Sequence, residues 1–142
     1  MLEFTDKGIY CSQADIYIDP WMPVKTAVIT HGHSDHARRG NGHYICQQDT
    51  VGILRLRLGA DISVQGLPYN KVISSNGVTI SLHPAGHIIG SAQVRLEYKG
   101  EIWVVSGDYK RRENPTCAPF QPVPCDIFIT EATFGLPVFR HP

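Results

Sequence analysis

The sequence lacks a long apolar run, a signal-like beginning and a closely spaced pair of cysteines. A membrane-spanning helix needs about 18 or more consecutive apolar residues, and no such run occurs. Residues 1–7 have no charged-then-apolar signal pattern, so we expect a cytoplasmic protein with no membrane partner. The four cysteines include no Cys-x-x-Cys pair, which argues against a disulfide framework or a thiolate zinc site.

Net charge is also absent, because 13 basic residues balance 13 acidic ones in a chain of 142. Overall charge therefore does not indicate a nucleic-acid partner, which would need a local basic patch. The run Lys110-Arg111-Arg112 is one such patch, just after Asp108. Most charge runs are solvated surface, but beside a metal site this one has the chemistry to bind a phosphate backbone. Arg38-Arg39, just after His36, adds to the same side.

The residue pattern predicts one strand-rich α/β domain, half of an α/β sandwich rather than two domains. Alternating apolar residues between Gly, Pro and Asn turns predict strands over residues 8–11, 15–18, 25–30, 43–46, 77–82, 91–98, 101–105 and 126–130. Lys99-Gly100 predicts a tight hairpin. One helix is predicted from an Asp49-Thr50 cap to Leu58, and a second begins near Asp35.

The most informative segment is His31-Gly32-His33-Ser34-Asp35-His36, which follows an apolar run over 24–30. Its imidazoles would repel one another if charged and would be costly to bury unpaired. A loop after a strand presents such ligands from a rigid support. The spacing His-x-His-x-Asp-His suits two metal ions, because the two halves project in different directions. A His-rich polar turn is the alternative, and we interpret the segment as a metal site.

A third nitrogen ligand is needed beside His31 and His33 to make a three-ligand site with an open position. We favour His87, which follows a predicted strand, because nearby glycines allow the backbone to approach an ion closely. His83 is the competing candidate. A structural role for either histidine is the plain alternative.

Three acidic residues end other predicted strands. Asp108, in Ser106-Gly107-Asp108, has two oxygens and can bridge two cations. Asp19 is placed to hold a ligand imidazole in its working tautomer. Glu131 is a further acid on the same rim of strand ends. Turn formation is the alternative for each of them.

These motifs together resemble the metallo-β-lactamase superfamily, and more narrowly its β-CASP nucleases. Loop 31–36 matches the superfamily signature, and residues 84–92 resemble the segment with the third histidine. Residues 106–109 resemble the bridging-aspartate segment, and residues 130–135 the acidic motif that follows. The opening 16–21 and the closing 134–142 look most like bacterial DNA-ligase-associated exonucleases.

The resemblance implies an αββα sandwich, of which residues 1–142 would be the N-terminal part. The β-CASP cap, the C-terminal half and a last histidine ligand are not found in the sequence, so we expect residues 1–142 alone to be close to inactive. Half a sandwich is also expected to expose one side of Val104, Ile127 and Ile129.

Two zinc ions, or manganese, are the implied cofactors. His31, His33 and His87 would hold the first ion and Asp35 and His36 the second, with Asp108 bridging both. The expected catalytic residues are Asp35, which also orients the attacking hydroxide, together with Asp108 and Glu131. Asp19 would support a ligand, and Lys110, Arg111 and Arg112 would bind nucleic acid.

The expected activity is phosphodiester hydrolysis by an exonuclease that acts on DNA or RNA in DNA repair or RNA processing. The resemblance implies DNA ligase or repair proteins as partners. One alternative is hydrolysis of thioesters, lactones or β-lactams, in which the basic run and Glu131 have no evident task. A two-iron redox site would favour a carboxylate where His33 stands. An inert metal-binding fragment is the non-enzymatic alternative.

Overall fold

The computed structural model describes residues 1–112 and 115–130 and the backbone of a strand at 138–140. These ranges contain twelve strands and one α-helix: β1 (Leu2–Thr5), β2 (Gly8–Cys11), β3 (Ile16–Ile18), β4 (Thr26–Val28), β5 (His43–Gln47), α1 (Val51–Leu58), β6 (Val64–Leu67), β7 (Ile73–Ser75), β8 (Val78–Pro84), β9 (Ala92–Tyr98), β10 (Glu101–Val105), β11 (Ile127–Ile129) and β12 (Val138–Arg140). Within them, no helix has the length and apolar character to cross a membrane.

The strands form two six-stranded sheets. The first has the order β1-β2-β3-β4-β5-β6, in which β3 to β6 run parallel to one another. The second has the order β12-β11-β10-β9-β8-β7 and is antiparallel except between β10 and β11. Parallel strands end at the same edge of a sheet, so the loops after β3 and β4 lie side by side.

The two sheets pack face to face over the main hydrophobic core, as alternating inward-facing residues require. This core includes Ile18, Val28, Ile45, Leu82, Val94, Leu96 and Val105. Helix α1 covers the other face of the first sheet, where Leu54 packs in a second cluster with Ala27, Ile29, Tyr44 and Cys46. The order of layers is therefore helix, sheet, sheet, and the strand-rich α/β class predicted from the sequence is confirmed.

One edge of the sandwich brings loops from both sheets together. The amide of Ala92 donates to the carbonyl of Thr30 at 2.8 Å, which joins the start of β9 to the end of β4. Gly107, just after β10, has a φ of +56° and lies against Thr30, where a methyl group would come within 2.6 Å of Thr30 Oγ1. Only glycine meets both conditions, so it lets the loop after β10 approach the loop after β4.

The predicted strands are found with shifted ends, and the short edge strands were missed. The strand over 101–105 and the hairpin at Lys99-Gly100, with φ of 50° and 81°, are as predicted. The strand predicted over 25–30 is only Thr26–Val28. Strands β1, β6 and β7 lie at sheet edges with one side unpaired, and a short, largely exposed strand carries little apolar alternation to detect.

Helix α1 begins directly after the predicted Asp49-Thr50 cap, with Thr50 as its N-cap residue, and ends at Leu58 as predicted, but the expected side-chain capping hydrogen bond is missing. Thr50 makes no side-chain cap; its hydroxyl donates to the carbonyl of Gly90 at 3.2 Å instead. A 3₁₀ turn at Gln48–Thr50 precedes the helix, and the side chain of Gln47 accepts from the amide of Asp49 at 2.7 Å. A long-range contact has therefore replaced the local one.

The predicted second helix near Asp35 is not present. The amides of His36 and Ala37 both donate to the carbonyl of His33, at 3.0 and 2.9 Å, which closes a single turn. Just after it, Arg38 donates to the carbonyl of Trp21 and Arg39 to the last carbonyls of α1, and a single turn without further packing is too short to persist as a helix.

The expectation of an exposed apolar face on the second sheet is also wrong for Val104 and Ile129, whereas Ile127 is half-buried. Val104 and Ile129 are 0% and 3% exposed. Ile127 and Ile129 pair in register with Trp103 and Val105 and face the core between the sheets. Val104 lies on the opposite face, beside Phe128 in the register.

Candidate metal centre

Three histidines and one aspartate converge at the edge where the two sheets meet. His31 follows β4, His33 comes two residues later, His87 lies in the loop between β8 and β9, and Asp108 follows β10. Each offers one ligand atom, and these four atoms all lie within 4.8 Å of one another. The loops of two different sheets are thus needed to assemble this group, which we call the first ligand group.

A second group lies beside the first. It consists of His31, Asp35 and His36, whose ligand atoms also lie within 4.8 Å of one another. His36 is buried, whereas the Asp35 side chain is 70% exposed, with its Oδ2 at 3.5 Å from Nε2 of His36. We call this set the second ligand group.

Asp108 stands between the two groups with one oxygen toward each. Its Oδ2 lies 3.6 Å from Nε2 of His31 and 3.7 Å from Nε2 of His87. Its Oδ1 lies 3.6 Å from Nε2 of His36. This is the arrangement that a carboxylate bridging two cations requires.

The spacing of these atoms fits a zinc-like ion. Zinc–nitrogen bonds of about 2.1 Å in a tetrahedron place the ligand atoms roughly 3.4 Å apart. Nδ1 of His33 lies 3.3 Å from Nε2 of His87, close to that value, as are the distances to Asp108. Nε2 of His31 is fully buried without a hydrogen-bond partner among the described residues. An orphaned buried nitrogen is costly, and a cation in this place would remove the cost.

Asp19 orients the imidazoles of His31 and His36 through hydrogen bonds at Nδ1, the ring nitrogen that faces away from the ligand groups. Its Oδ2 accepts from Nδ1 of His36 at 2.7 Å and from the Thr30 hydroxyl at 2.5 Å, while Oδ1 accepts from the Thr30 amide at 2.8 Å. The Thr30 hydroxyl, having donated its proton, accepts from Nδ1 of His31 at 3.1 Å. Both histidines therefore carry the proton on Nδ1 and present the lone pair of Nε2 to the site.

The electrostatics of the site favour the neutral imidazole for His31 and His87. Burial lowers the pKa of His31 to about 3, and the neighbouring histidines act in the same direction. Burial also lowers the pKa of His87, although Asp108 opposes that shift. Burial raises the pKa of Asp19, against hydrogen bonds from His36 and Thr30. Neutral imidazole is the form that binds a metal, so the two histidines are ready for one at pH 7.

The structure brings His87 to the first ligand group and leaves His83 away from it. His83 lies on the outer face of the second sheet, where its Nε2 and the hydroxyl of Ser81 are 2.8 Å apart. The glycines around His87 have a different task from the one predicted. A methyl group at Gly86 would lie 2.5 Å from the carbonyl of Lys110, so this glycine allows contact with protein rather than with an ion.

The basic run lies beside the site, with its side chains exposed. The amide of Lys110 donates to the carbonyl of Ala85 at 2.9 Å, and the guanidinium of Arg111 lies 5.7 Å from the ring centre of Phe120. The run is therefore attached to the loop of His87. Glu131, the remaining predicted site residue, lies outside the described residues.

Sequence reasoning missed Thr30, Thr50 and Arg57, which contact the loops of the ligands without being candidate ligands. Arg57 of α1 donates from Nη1 to the carbonyl of Gly32. A threonine at a strand end and an arginine on a helix carry no motif, so no signal in the sequence singles them out.

The class of protein follows from the fold together with this site. The metallo-β-lactamase SMB-1, in its complex with 2-mercaptoethanesulfonate, superposes on 91% of this chain with a TM-score of 0.58 at 14% identity, and 71% of that enzyme is covered. The fold of the described residues is therefore that of part of a metallo-β-lactamase, as the resemblance in the sequence implied.

Similarity in sequence gives a more specific relationship than similarity in fold. No protein-family model matches the chain. Over 140 residues, 95% of the chain, it is 34% identical to a probable DNA ligase of Opitutus terrae, and the match covers 13% of that protein. Over 74 residues, 51% of the chain, it is 34% identical to endoribonuclease YSH1 of Candida glabrata, and covers 10% of it. The chain is related to the metallo-β-lactamase and β-CASP nucleases, and it spans only a small part of the length of these relatives.

Proposed function

We propose that this chain carries the metal centre of a phosphodiesterase that hydrolyses nucleic acid. The observation that carries the proposal is the position of Asp108. It lies between the two ligand groups, with one carboxylate oxygen near the first group and the other near the second. A bridged pair of cations suits in-line displacement at phosphorus, because both the attacking and the leaving oxygen need stabilisation.

The proposed roles follow from the contacts. His31, His33 and His87 would hold one ion and Asp35 and His36 the other, and the carboxylate of Asp108 would serve both. Two zinc ions, or manganese, would supply a water with a pKa near 7 and positive charge beside the phosphate. Asp35 orients the attacking water, since its side chain is more exposed than those of Asp19 and Asp108 and faces the solvent while its Oδ2 lies 3.5 Å from Nε2 of His36.

Nucleic acid is favoured over acyl substrates by the surroundings of the site. The exposed side chains of Lys110, Arg111 and Arg112 stand next to Asp108 in the chain and suit a phosphate backbone. Relatives described as an endoribonuclease and a probable DNA ligase support the same substrate class. An exonuclease role in DNA repair or RNA processing, DNA ligase or repair proteins as partners, and a cytoplasmic location belong to this proposal.

Two further expectations stay predictions. One is that residues 1–142 form the N-terminal part of a metallo-β-lactamase domain whose β-CASP cap and C-terminal half they do not include. The other is that residues 1–142 alone turn over little substrate. Glu131 stays a predicted catalytic residue.

The proposal is tested by metal content and by two parallel assays on the full-length protein. We expect about two zinc-like ions per chain after purification without chelators. We also expect cleavage of single-stranded DNA or RNA, and loss of that cleavage on chelation with recovery when zinc or manganese is returned. Hydrolysis of a thioester or lactone without nuclease activity would overturn the substrate class, and absence of any transition metal would overturn the metal centre.

Replacing Lys110, Arg111 and Arg112 together with Gln tests the phosphate contact. If these side chains bind the backbone, log affinity for single-stranded nucleic acid should depend less steeply on log salt, by up to about 0.7 per lost contact. The matched control removes the same charge from the exposed Lys7, Lys25 and Lys71. Equal salt slopes for both triple variants would assign the basic run to ordinary solvated surface.

A further inference from the structure

Helix α1 contacts both loops that supply the histidines of the first ligand group. Near its beginning, the Thr50 hydroxyl donates to the carbonyl of Gly90 in the loop of His87 at 3.2 Å. Near its end, Nη1 of Arg57 donates to the carbonyl of Gly32, the residue between His31 and His33. The helix, which covers one face of the first sheet, therefore connects the loop of His31 and His33 with the loop of His87.

The contact at Gly32 is steric as well as polar. A methyl group at Gly32 would lie 2.7 Å from Cγ2 of Ile53, closer than side chains tolerate. Gly32 is not among the glycines with positive φ, so its backbone is open to any residue and the packing of Ile53 alone requires glycine. The segment between the two histidines thus rests directly on the helix.

A second arginine fixes the far end of the same loop. Arg39 donates from Nη2 to the carbonyl of Arg57 at 2.8 Å and from Nη1 to the carbonyl of Leu58 at 3.3 Å. These are carbonyls of the last turn of α1, which have no partner within the helix. The loop from His31 to Arg39 is consequently attached to α1 at both ends by guanidinium groups.

We propose that α1 is the element that positions the histidine pair, with Arg57 as its main positioning residue. The inference rests on the proposed metal centre. Through its hydrogen bond to the carbonyl of Gly32, Arg57 sets the peptide between His31 and His33, and so the angle between the two imidazoles. A guanidinium is suited to this because its planar fork loses little freedom when it binds a carbonyl.

The test compares Arg57→Gln with Arg55→Gln in the full-length protein. Arg55 lies on the same helix with an exposed side chain, so its replacement removes the same charge from the same region. Zinc titration of the metal-free protein should give an affinity lower by about 10- to 100-fold for Arg57→Gln, and an unchanged affinity for Arg55→Gln. Arg57→Lys, which keeps a donor, should recover part of the loss.

The absorption spectrum of the cobalt-substituted protein gives a readout that a merely structural role would not change. The bands of the bound cobalt report the geometry of its ligands, so they should shift in Arg57→Gln and stay in place in Arg55→Gln. Unaltered bands and zinc affinity in a folded Arg57→Gln variant would overturn the inference. Failure of the unmodified protein to bind zinc would instead overturn the proposed function.

A second pair of variants tests the packing contact independently. Gly32→Ala should weaken zinc binding because its methyl group meets Ile53, and Gly32→Ala with Ile53→Ala should recover it because the space is returned. Loss without recovery, in a double variant that is folded by circular dichroism, would show that Ile53 does not position the loop and would count against the inference.

Discussion

Replacing Asp108 with Asn should lower the rate of phosphodiester hydrolysis about 10³-fold. The change keeps the size of the side chain but removes its charge. It also removes one of the two oxygens, which lie near Nε2 of His31, His36 and His87. Charge stabilisation by a bridged metal pair is worth several kcal/mol, and about 4 kcal/mol corresponds to that factor. The second ion should bind more weakly, because Asp35 and His36 would then hold it without the bridge.

The control for this variant is the same chemical change at Asp61, an exposed aspartate that follows α1. Asp61→Asn should leave both rate and metal content unchanged. In the metal-free state, the melting temperature of Asp108→Asn should stay near that of the unmodified protein, because the side chain is 39% exposed and substitutions at such positions usually change the free energy of unfolding by about 0.5 kcal/mol. Full turnover by Asp108→Asn would remove this residue from the mechanism.

The convergence of the site was predictable because each predicted ligand lies in a loop that follows a strand. The run before His31 and the run before Asp108 end at strands whose loops meet at one edge. The type of a residue and its place after a predicted strand can both be read from the local sequence. That Asp19 would reach a ligand imidazole was predictable for the same reason, since it ends the strand next to that of His31.

The supports of the site were not predictable, because they depend on contacts between distant segments. Thr50 has the sequence of a helix cap, yet its hydroxyl donates to Gly90, 40 positions away. The glycines near His87 and Asp108 are needed for contacts with Lys110 and Thr30 rather than with an ion. Such pairings follow from the packing of two sheets and one helix, which no local pattern specifies.

Replacing Asp19 with Asn should change the tautomers of two histidines at once. An amide nitrogen of Asn would face the Thr30 hydroxyl and Nδ1 of His36, where the carboxylate accepted from both. His36 would then accept at Nδ1 and carry its proton on Nε2. Thr30 would accept from the amide and donate to Nδ1 of His31, which moves that proton to Nε2 as well. Nε2 of both histidines would then carry a proton and could not bind a metal ion.

We expect zinc affinity to fall by about 10- to 100-fold in Asp19→Asn. The free energy of unfolding should fall by about 3 kcal/mol, because buried hydrogen bonds to a charged group are lost. Nitrogen-15 chemical shifts of the imidazoles in the metal-free protein report the tautomers directly. Thr30→Val separates the two routes, since it interrupts the path to His31 and leaves the bond between Asp19 and His36, whereas Thr30→Ser keeps the hydroxyl and should behave like the unmodified protein. Unchanged tautomers in Asp19→Asn would show that the two imidazoles are oriented by their packing, without help from the buried carboxylate.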